Sequence, residues 1–358
     1  MASPQKYLLI SPLDWGLGHT TRCIPIIKFY HERKVPILIA GSAPAGKIYE
    51  SVFPDIPFIE IPGYNVKYSK KGKYFILALG KQVPHATRTI RFEKKWIKGL
   101  IKKYPIGAII SDNRFGFHSA DVKTVYITHQ LIFLTNVSFI NPLLTKAHNG
   151  FIKKFDEVWI PDFADEPNLS GTLGHGGKID KIKYLGPLSR FSAPAIAVER
   201  DIYMLAIISG PEPQRTMLEE KIIDFFKNSG KKCVLVRGLP HVKETINPAK
   251  NIVSFNHLST QELQDYLLRS NFIISRSGYT TVMDLAALRR SALLIPTPGQ
   301  SEQEYLGVYL QEQGLFKMMK QEDDLRYFDL SSEELKLSKF PKVSVSEKVL
   351  ESLMPCFY

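Results

Sequence analysis

The chain has 358 residues, 44% of them apolar and 23% charged, with 23 Gly and 23 Pro. These proportions exclude disordered, collagen-like and coiled-coil chains, and at roughly 100–200 residues per domain the length predicts two domains. The net charge of +12 is concentrated: residues 67–103 hold twelve Lys and Arg against Glu93 alone, which is +11 of the total.

Residues 6–11 form a short apolar run that ends in the loop Asp14-Trp15-Gly16-Leu17-Gly18-His19. A helical pattern follows (Cys23, Ile26, Ile27, Tyr30), then a second apolar run at 35–40. This is a βαβ unit. Trp15 reads as a packed aromatic or as lining for a ligand. Further strands are predicted at 58–61, 107–111, 124–128 and 157–160. They are mostly apolar and do not alternate, as in a parallel sheet covered on both faces.

The basic segment 67–103 attracts anions: nucleic acid, acidic lipid or phosphorylated substrate. Interleaved Tyr74, Phe75, Ile76, Leu77, Leu79, Trp96 and Ile97 favour a lipid surface. A solvated helix face with a lysine-rich loop is the competing reading.

Two polar stretches follow predicted strands: Ser111-Asp112-Asn113-Arg114-Phe115-Gly116 and Thr128-His129-Gln130. Both are expected at the cleft edge near His19, although strand-end capping explains them equally well. His175, within Gly174-His175-Gly176-Gly177, reads as a flexible loop, and Asp162 and Asp165 make no DxD-type metal site.

Residues 186–200 are rich in Pro, Ala and Ser and read as a linker. The pattern then restarts, with strands at 204–209, 233–237, 252–255, 272–275 and 292–296 and helices at 215–228, 260–269 and 280–289. The expected organisation is an N-terminal acceptor-side domain at 1–190 and a C-terminal nucleotide-binding domain at 191–342. A helical segment at 343–358 packs back on the first domain. Both domains are α/β, each a doubly wound parallel sheet (Rossmann-like), facing across a cleft where open sheets bind ligands.

The most informative stretch is Ser275-Arg276-Ser277-Gly278-Tyr279-Thr280-Thr281-Val282-Met283-Asp284. A strand enters a small-residue turn and a helix begins near Thr280. Exposed N–H groups and the positive helix end suit a pyrophosphate, with Ser277, Thr280 and Thr281 as hydroxyl donors. Asp284, one turn on, suits a ribose hydroxyl. Plain helix capping is the alternative. The next strand ends in a polar cluster, Thr297 to Tyr305, that suits a sugar or is a simple exposed helix start.

Together, SRSGYTTVMDLAALRRSALLIPTPGQSEQEYLG resembles the donor signature of family 28-type glycosyltransferases. The best-known member is the peptidoglycan lipid-intermediate N-acetylglucosaminyltransferase. The resemblance implies the GT-B fold and inverting, metal-independent transfer from a UDP-sugar, with no cofactor. It implies that Ser277, Gly278, Thr280 and Thr281 hold the diphosphate and Asp284 the ribose, where the family more often has Glu. Gln303 and Glu304 fall on the sugar positions, where Gln-Gln is usual. Phe255 and Asn256 fall where the family's backbone reads uracil, and Gly307 replaces the usual Asn.

Gly16 and Gly18 with His19 resemble the family's first glycine loop. Ser209, Gly210, Gln214 and Arg215 stand in its second, where Pro211 and Pro213 cannot donate. Asn113 and Arg114 are assigned to the acceptor side; DNRFG and THQL resemble segments of predicted glycosyltransferases of this superfamily.

The chemistry requires a base at the acceptor hydroxyl and positive charge at the leaving diphosphate. His19 is the first choice for base, because its ordinary pKa lies near neutrality, with Asp112 and then His129 behind it. The acceptor is expected to be a lipid-linked or other glycan, and residues 67–103 are expected to meet an anionic membrane surface. Two rivals are a UDP-sugar hydrolase, similar to that of pseudaminic acid synthesis, and a basic nucleic-acid-binding module. The second lacks any nucleic-acid motif, so no nucleic-acid partner is expected.

Three distant cysteines in no metal or disulfide pattern fit a reducing compartment. No run reaches the ~18 apolar residues of a membrane span, and the N-terminus lacks a signal-peptide pattern. A cytoplasmic protein, peripheral on the inner face of the membrane, is expected.

Overall fold

The computed structural model describes residues 5–14, 16–64, 75–135, 137–177, 179–196, 198–328 and 341–358, with side chains for all of these but 75–83. Trp15, Lys67, Lys70, Lys71, Lys73 and Tyr74 lie outside the described residues, as do the side chains of Phe75, Ile76, Leu77, Leu79 and Lys81. Two compact units divide the chain. One runs to Arg190 and includes Ser344–Tyr358; the other is Phe191–Val343.

The first unit is built on a seven-stranded sheet, parallel throughout. Its strands are β1 (Tyr7–Pro12), β2 (Ile37–Gly41), β3 (Phe58–Glu60), β4 (Ile106–Asp112), β5 (Lys123–Ile127), β6 (Glu157–Ile160) and β7 (Ile182–Tyr184), in the order β3-β2-β1-β4-β5-β6-β7. β1, β2 and β4 are buried almost end to end, which is why they read as unbroken apolar runs. The helices are α1 (Leu17–Arg22), α2 (Ile24–Glu32), α3 (Ala43–Val52), α4 (Phe75–Lys103), α5 (Asn141–Ile152) and α6 (Thr172–His175). A C-terminal helix, Glu347–Glu351, docks here too: Tyr30 donates to the Leu350 carbonyl at 2.6 Å, and Ser346 N–H to Leu185 at 2.7 Å.

Three sequence expectations change in this unit. First, the glycine loop is shorter than expected. Gly16, with φ +74°, takes a conformation that side chains disfavour, and helix starts at Leu17. Gly18 and His19 therefore sit in the first helical turn, and Pro25, lacking an N–H, sits in the first turn of the separate helix α2. Second, His175 is not in a flexible loop. It ends α6, stacks on Tyr184 at 4.7 Å and places Nε2 3.3 Å from Asp162. The same carboxylate accepts from the N–H groups of Phe163, Leu169 and Ser170, which ties the whole turn down.

Third, α4 has two distinct faces. Thr89, Glu93, Ile97 and Leu100 are buried, while Arg88, Arg91, Lys95, Lys98 and Lys102 are exposed at three- and four-residue spacing. Ile97 is in the core and Trp96 packs against it beside Phe117, so neither is available to a lipid surface. Amphipathic periodicity placed them inward.

The second unit carries a six-stranded parallel sheet. Its strands are β8 (Ile202–Ile207), β9 (Cys233–Val236), β10 (Ile252–Phe255), β11 (Ser270–Ser275), β12 (Leu293–Leu294) and β13 (Lys317–Met318), in the order β10-β9-β8-β11-β12-β13. Helices α7 (Gln214–Ser229), α8 (Thr260–Arg269), α9 (Tyr279–Ala287) and α10 (Ser301–Glu312) link them. Leu218, Ile222 and Phe226 of α7 fill the core against Met204, Ala206 and Ile274. The register aligns Phe255, Val236, Ile207, Ser275 and Leu294 as neighbours, so the loops that follow all leave from one edge. Among the described residues no helix is long and apolar enough to cross a membrane.

Candidate active site

In the first unit, Pro12, Asp112 and Ile127 are neighbours across β1, β4 and β5. The chain just beyond these strand ends carries His19, Asn113 and His129. Asp112 is fully buried and is the centre of the cluster. Its Oδ1 lies 3.1 Å from His19 Nδ1, and Arg22 Nε donates to its Oδ2 at 2.7 Å. Arg22 also reaches Oδ1 and places Nη1 3.3 Å from His129 Nδ1. His19, His129 and Asp112 are thus joined through Arg22, a residue that the sequence reading did not single out. Arg22 follows His19 by three residues on α1 and so shares its face; that spacing was the available signal.

The charges assign roles. Burial would raise the Asp112 carboxyl, but Arg22 and His19 outweigh it and hold Asp112 well below the usual carboxylate range. That corrects its place as an alternative base: it is ionised, enclosed and already bonded. His19 is lowered from 6.5, first by burial and then by Arg22, against the raising effect of Asp112. A neutral His19 donates Nδ1–H to Asp112, which leaves Nε2 as an acceptor with no partner among the described residues; the side chain is 14% exposed.

Asn113 and Arg114 differ in their surroundings. Asn113 takes φ +57°, which Asn tolerates, and bonds back to the Ile127 carbonyl. Arg114 is fully buried, paired with Glu93 at 2.8 Å and donating to the Pro12 and Pro62 carbonyls. The guanidinium is enclosed, so the acceptor-side assignment of Arg114 does not hold. In the first loop, the Gly16 N–H closes a turn onto Asp14, and Gly18 accepts from Thr21.

In the second unit, α9 begins at Tyr279 directly after the β11 turn, and no side chain caps it. Gly278, Thr280 and Thr281 are half-buried, and the two hydroxyls have no partner among the described residues. The helix start therefore presents amides and hydroxyls suited to an anion. Asp284 is 7% exposed, one turn further along. Ser277 differs from expectation: it is fully buried and donates to the Gln303 carbonyl at 2.7 Å, so its hydroxyl braces α10 instead of serving phosphate.

Gln303 accepts from Thr297 N–H at 2.9 Å and Glu304 from Gly299 N–H at 2.8 Å. Gln303 Nε2 and Glu304 Oε2 have no described partner. Phe255 and Asn256 carbonyls accept from Arg237 and Leu239 N–H groups, and the Asn256 side chain bonds Arg237, Val242 and Glu244.

The second glycine loop is corrected at two positions. Arg215 is 5% exposed and pairs with Glu212 at 2.5 Å and with Glu219. Its guanidinium is engaged by these two carboxylates instead of standing open to a diphosphate. Gln214 accepts from Gln321 at 2.7 Å through its side chain. Ser209 and Gly210 remain exposed, Gly210 with φ +108°. Among the described residues no group of three His, Cys, Asp or Glu is arranged to hold a metal ion.

This geometry has known counterparts. Residues 230–348, which contain α9 and α10, match the glycosyltransferase family 28 C-terminal domain. An uncharacterised glycosyltransferase of Methanosarcina acetivorans is 20% identical over 85% of this chain and 83% of its own length. Among solved structures, the glycosyltransferase SnogD of Streptomyces nogalater superposes with a TM-score of 0.62 at 12% identity, covering 99% of both chains. MurG of Acinetobacter baumannii superposes at 0.56 and 10% identity, over 98% of this chain and 99% of its own. The fold is GT-B. With the family match, these relatives support glycosyl transfer as the class of activity.

Proposed function

We propose that the chain is an inverting, metal-independent glycosyltransferase that needs no cofactor and moves a sugar from a UDP-sugar to a lipid-linked or other glycan acceptor. The observation that carries this reading is the uncapped start of α9, with Thr280 and Thr281, inside the segment matching the family 28 domain. There, N–H groups and the helix dipole receive the diphosphate, with Ser209 and Gly210 from the β8 loop, while Asp284 serves the ribose.

His19 Nε2 takes the proton of the acceptor hydroxyl. As that oxygen bonds to the anomeric carbon, the bond to UDP breaks on the opposite face. Asp112 keeps His19 oriented and stabilises the imidazolium that forms. His129 is joined to the pair through Arg22. Gln303 and Glu304 offer an amide and a carboxylate oxygen to sugar hydroxyls.

Arg88, Arg91, Lys95, Lys98 and Lys102 of α4 are exposed, while Glu93, the one acidic residue in the α4 sequence, is buried. This supports docking on an anionic membrane, with Phe92, Phe139 and Leu143 among the exposed apolar side chains of the same unit. Replacing Arg91, Lys95 and Lys98 by Glu should release the protein from anionic vesicles; retention would contradict the docking.

The activity is tested by incubation with UDP-N-acetylglucosamine and other UDP-sugars, with and without lipid extract, following free UDP. Release that depends on the extract supports transfer. Equal release without any acceptor supports the hydrolase, and no release with any UDP-sugar removes the reading.

A further inference from the structure

Arg276 is 1% exposed, and no carboxylate among the described residues pairs with it. Its guanidinium donates to four backbone carbonyls instead: Ser209 at 3.4 Å, Gln214 at 2.9 Å, Ile295 at 3.1 Å and Pro296 at 3.0 Å. These carbonyls belong to the segments that follow β8 and β12, while Arg276 itself follows β11. One side chain therefore links the three loops that carry Ser209 and Gly210, the α9 start, and Thr297 with Gln303.

The junction is unsatisfied at one point. The Thr297 hydroxyl is buried without a partner, and it lies 3.3 Å from where a Cβ on Gly210 would stand. A second arginine provides a contrast. Arg290, 6% exposed, also donates to carbonyls, those of Leu268, Ser270 and Asn271, but at the opposite end of β11 and away from every candidate site residue.

We propose that Arg276 is the positioning residue of the donor site: it sets the three loops in the arrangement that receives a nucleoside diphosphate, and its uncancelled charge favours that anion. The guanidinium touches no ligand itself, since its N–H groups are directed at carbonyls. Only a planar, five-donor group spans three loops in this way; a lysine keeps the charge but not the span. This inference rests on the donor-site reading above.

The test titrates UDP and uridine into the wild type, Arg276→Lys and Arg290→Lys, with melting curves for each. Arg276→Lys should weaken UDP about tenfold or more while uridine affinity holds, because the phosphates depend on the three-loop arrangement. Arg290→Lys should lower the melting temperature to a similar degree and leave UDP affinity unchanged. Equal loss of UDP affinity in both variants, or no loss in Arg276→Lys, would overturn the proposal.

Should Arg276→Lys fail to fold, hydrogen exchange on the wild type decides. UDP should protect the amides of 209, 210, 278–281, 297 and 299 together; protection confined to 278–281 would refute the linkage. A wild type that binds no nucleoside diphosphate removes the donor-site reading itself, a failure visible before any variant is made.

Discussion

His19 Nδ1 faces Asp112 Oδ1 at 3.1 Å while Arg22 binds both oxygens of the same carboxylate. The imidazole is therefore held in one tautomer by a group that is itself locked. Asp112→Asn loses the charge that steadies the imidazolium and allows the ring to turn. Turnover should fall about 100-fold or more. UDP affinity should be unchanged, because the donor groups belong to the other unit; binding titration beside steady-state kinetics checks both.

The pH profile follows from the same three residues. Burial and then Arg22 lower His19, so it is neutral at pH 7 and the acid limb of kcat/KM should lie below pH 6.5. Arg22→Gln removes a positive neighbour, which favours protonation of His19. The limb should then move to higher pH. A limb that stays in place, or moves the other way, would exclude His19 as the titrating base.

Arg114 and Glu93 test a buried pair. Both are fully buried, Nε to Oε1 is 2.8 Å, and Glu93 also accepts from Tyr64 and from Gly116 N–H. Arg114→Ala leaves a buried carboxylate unpaired, and breaking such a pair costs about 3–5 kcal/mol. Denaturant unfolding should show that loss. The double variant with Glu93→Ala should lose less than the sum of the two single changes, and the acceptor KM of folded Arg114→Ala should not move.

These residues mark how far the sequence was readable. The strands were legible because burial on both faces leaves unbroken apolar runs, as at 37–41 and 106–110. The α9 start was legible because a strand, a small-residue turn and a helix are local. Pairings across the chain were not. Nothing near Arg114 announces Glu93, 21 residues earlier on α4, and Glu93 itself looked like one charge in a basic surface. Arg215 was readable in part: Glu219 stands four residues after it on α7, a spacing that brings side chains together on a helix, whereas Glu212 precedes the helix. Arg276 lay inside the most informative motif, yet its four acceptors are carbonyls on two other segments of the chain, which no residue pattern reports.

His148 should make the first unit acid-sensitive. It is 6% exposed, edge-on to Phe115 and Phe133 at 5.5 and 5.0 Å, with Nδ1 unpartnered, and burial pulls its pKa down to about 4. Unfolded, the same group titrates near 6.5. Between those values the unfolded chain binds the extra proton, so stability is whole above pH 6.5 and falls as pH drops toward 4, by up to about 3 kcal/mol. His148→Phe removes the titration and keeps the ring. Its acid unfolding midpoint should lie at lower pH than that of the wild type; an unchanged midpoint would clear His148.

Gly307 stands where related donor signatures carry Asn, and packing explains it. A Cβ added there would meet Met318 Cγ at 2.9 Å and Pro296 Cγ at 3.0 Å, so any side chain at 307 requires a neighbour to shift. Gly307→Asn adds three more heavy atoms beyond that Cβ and should destabilise by about 1–3 kcal/mol, the usual range for overpacking. Met318 is a flexible side chain and Pro296 is a rigid ring, so relief must come from Met318. Met318→Ala alone should destabilise by removing contacts; combined with Gly307→Asn it should recover part of the loss. If the double variant melts where additivity places it, the two positions do not share the space and steric exclusion is not what keeps Asn out.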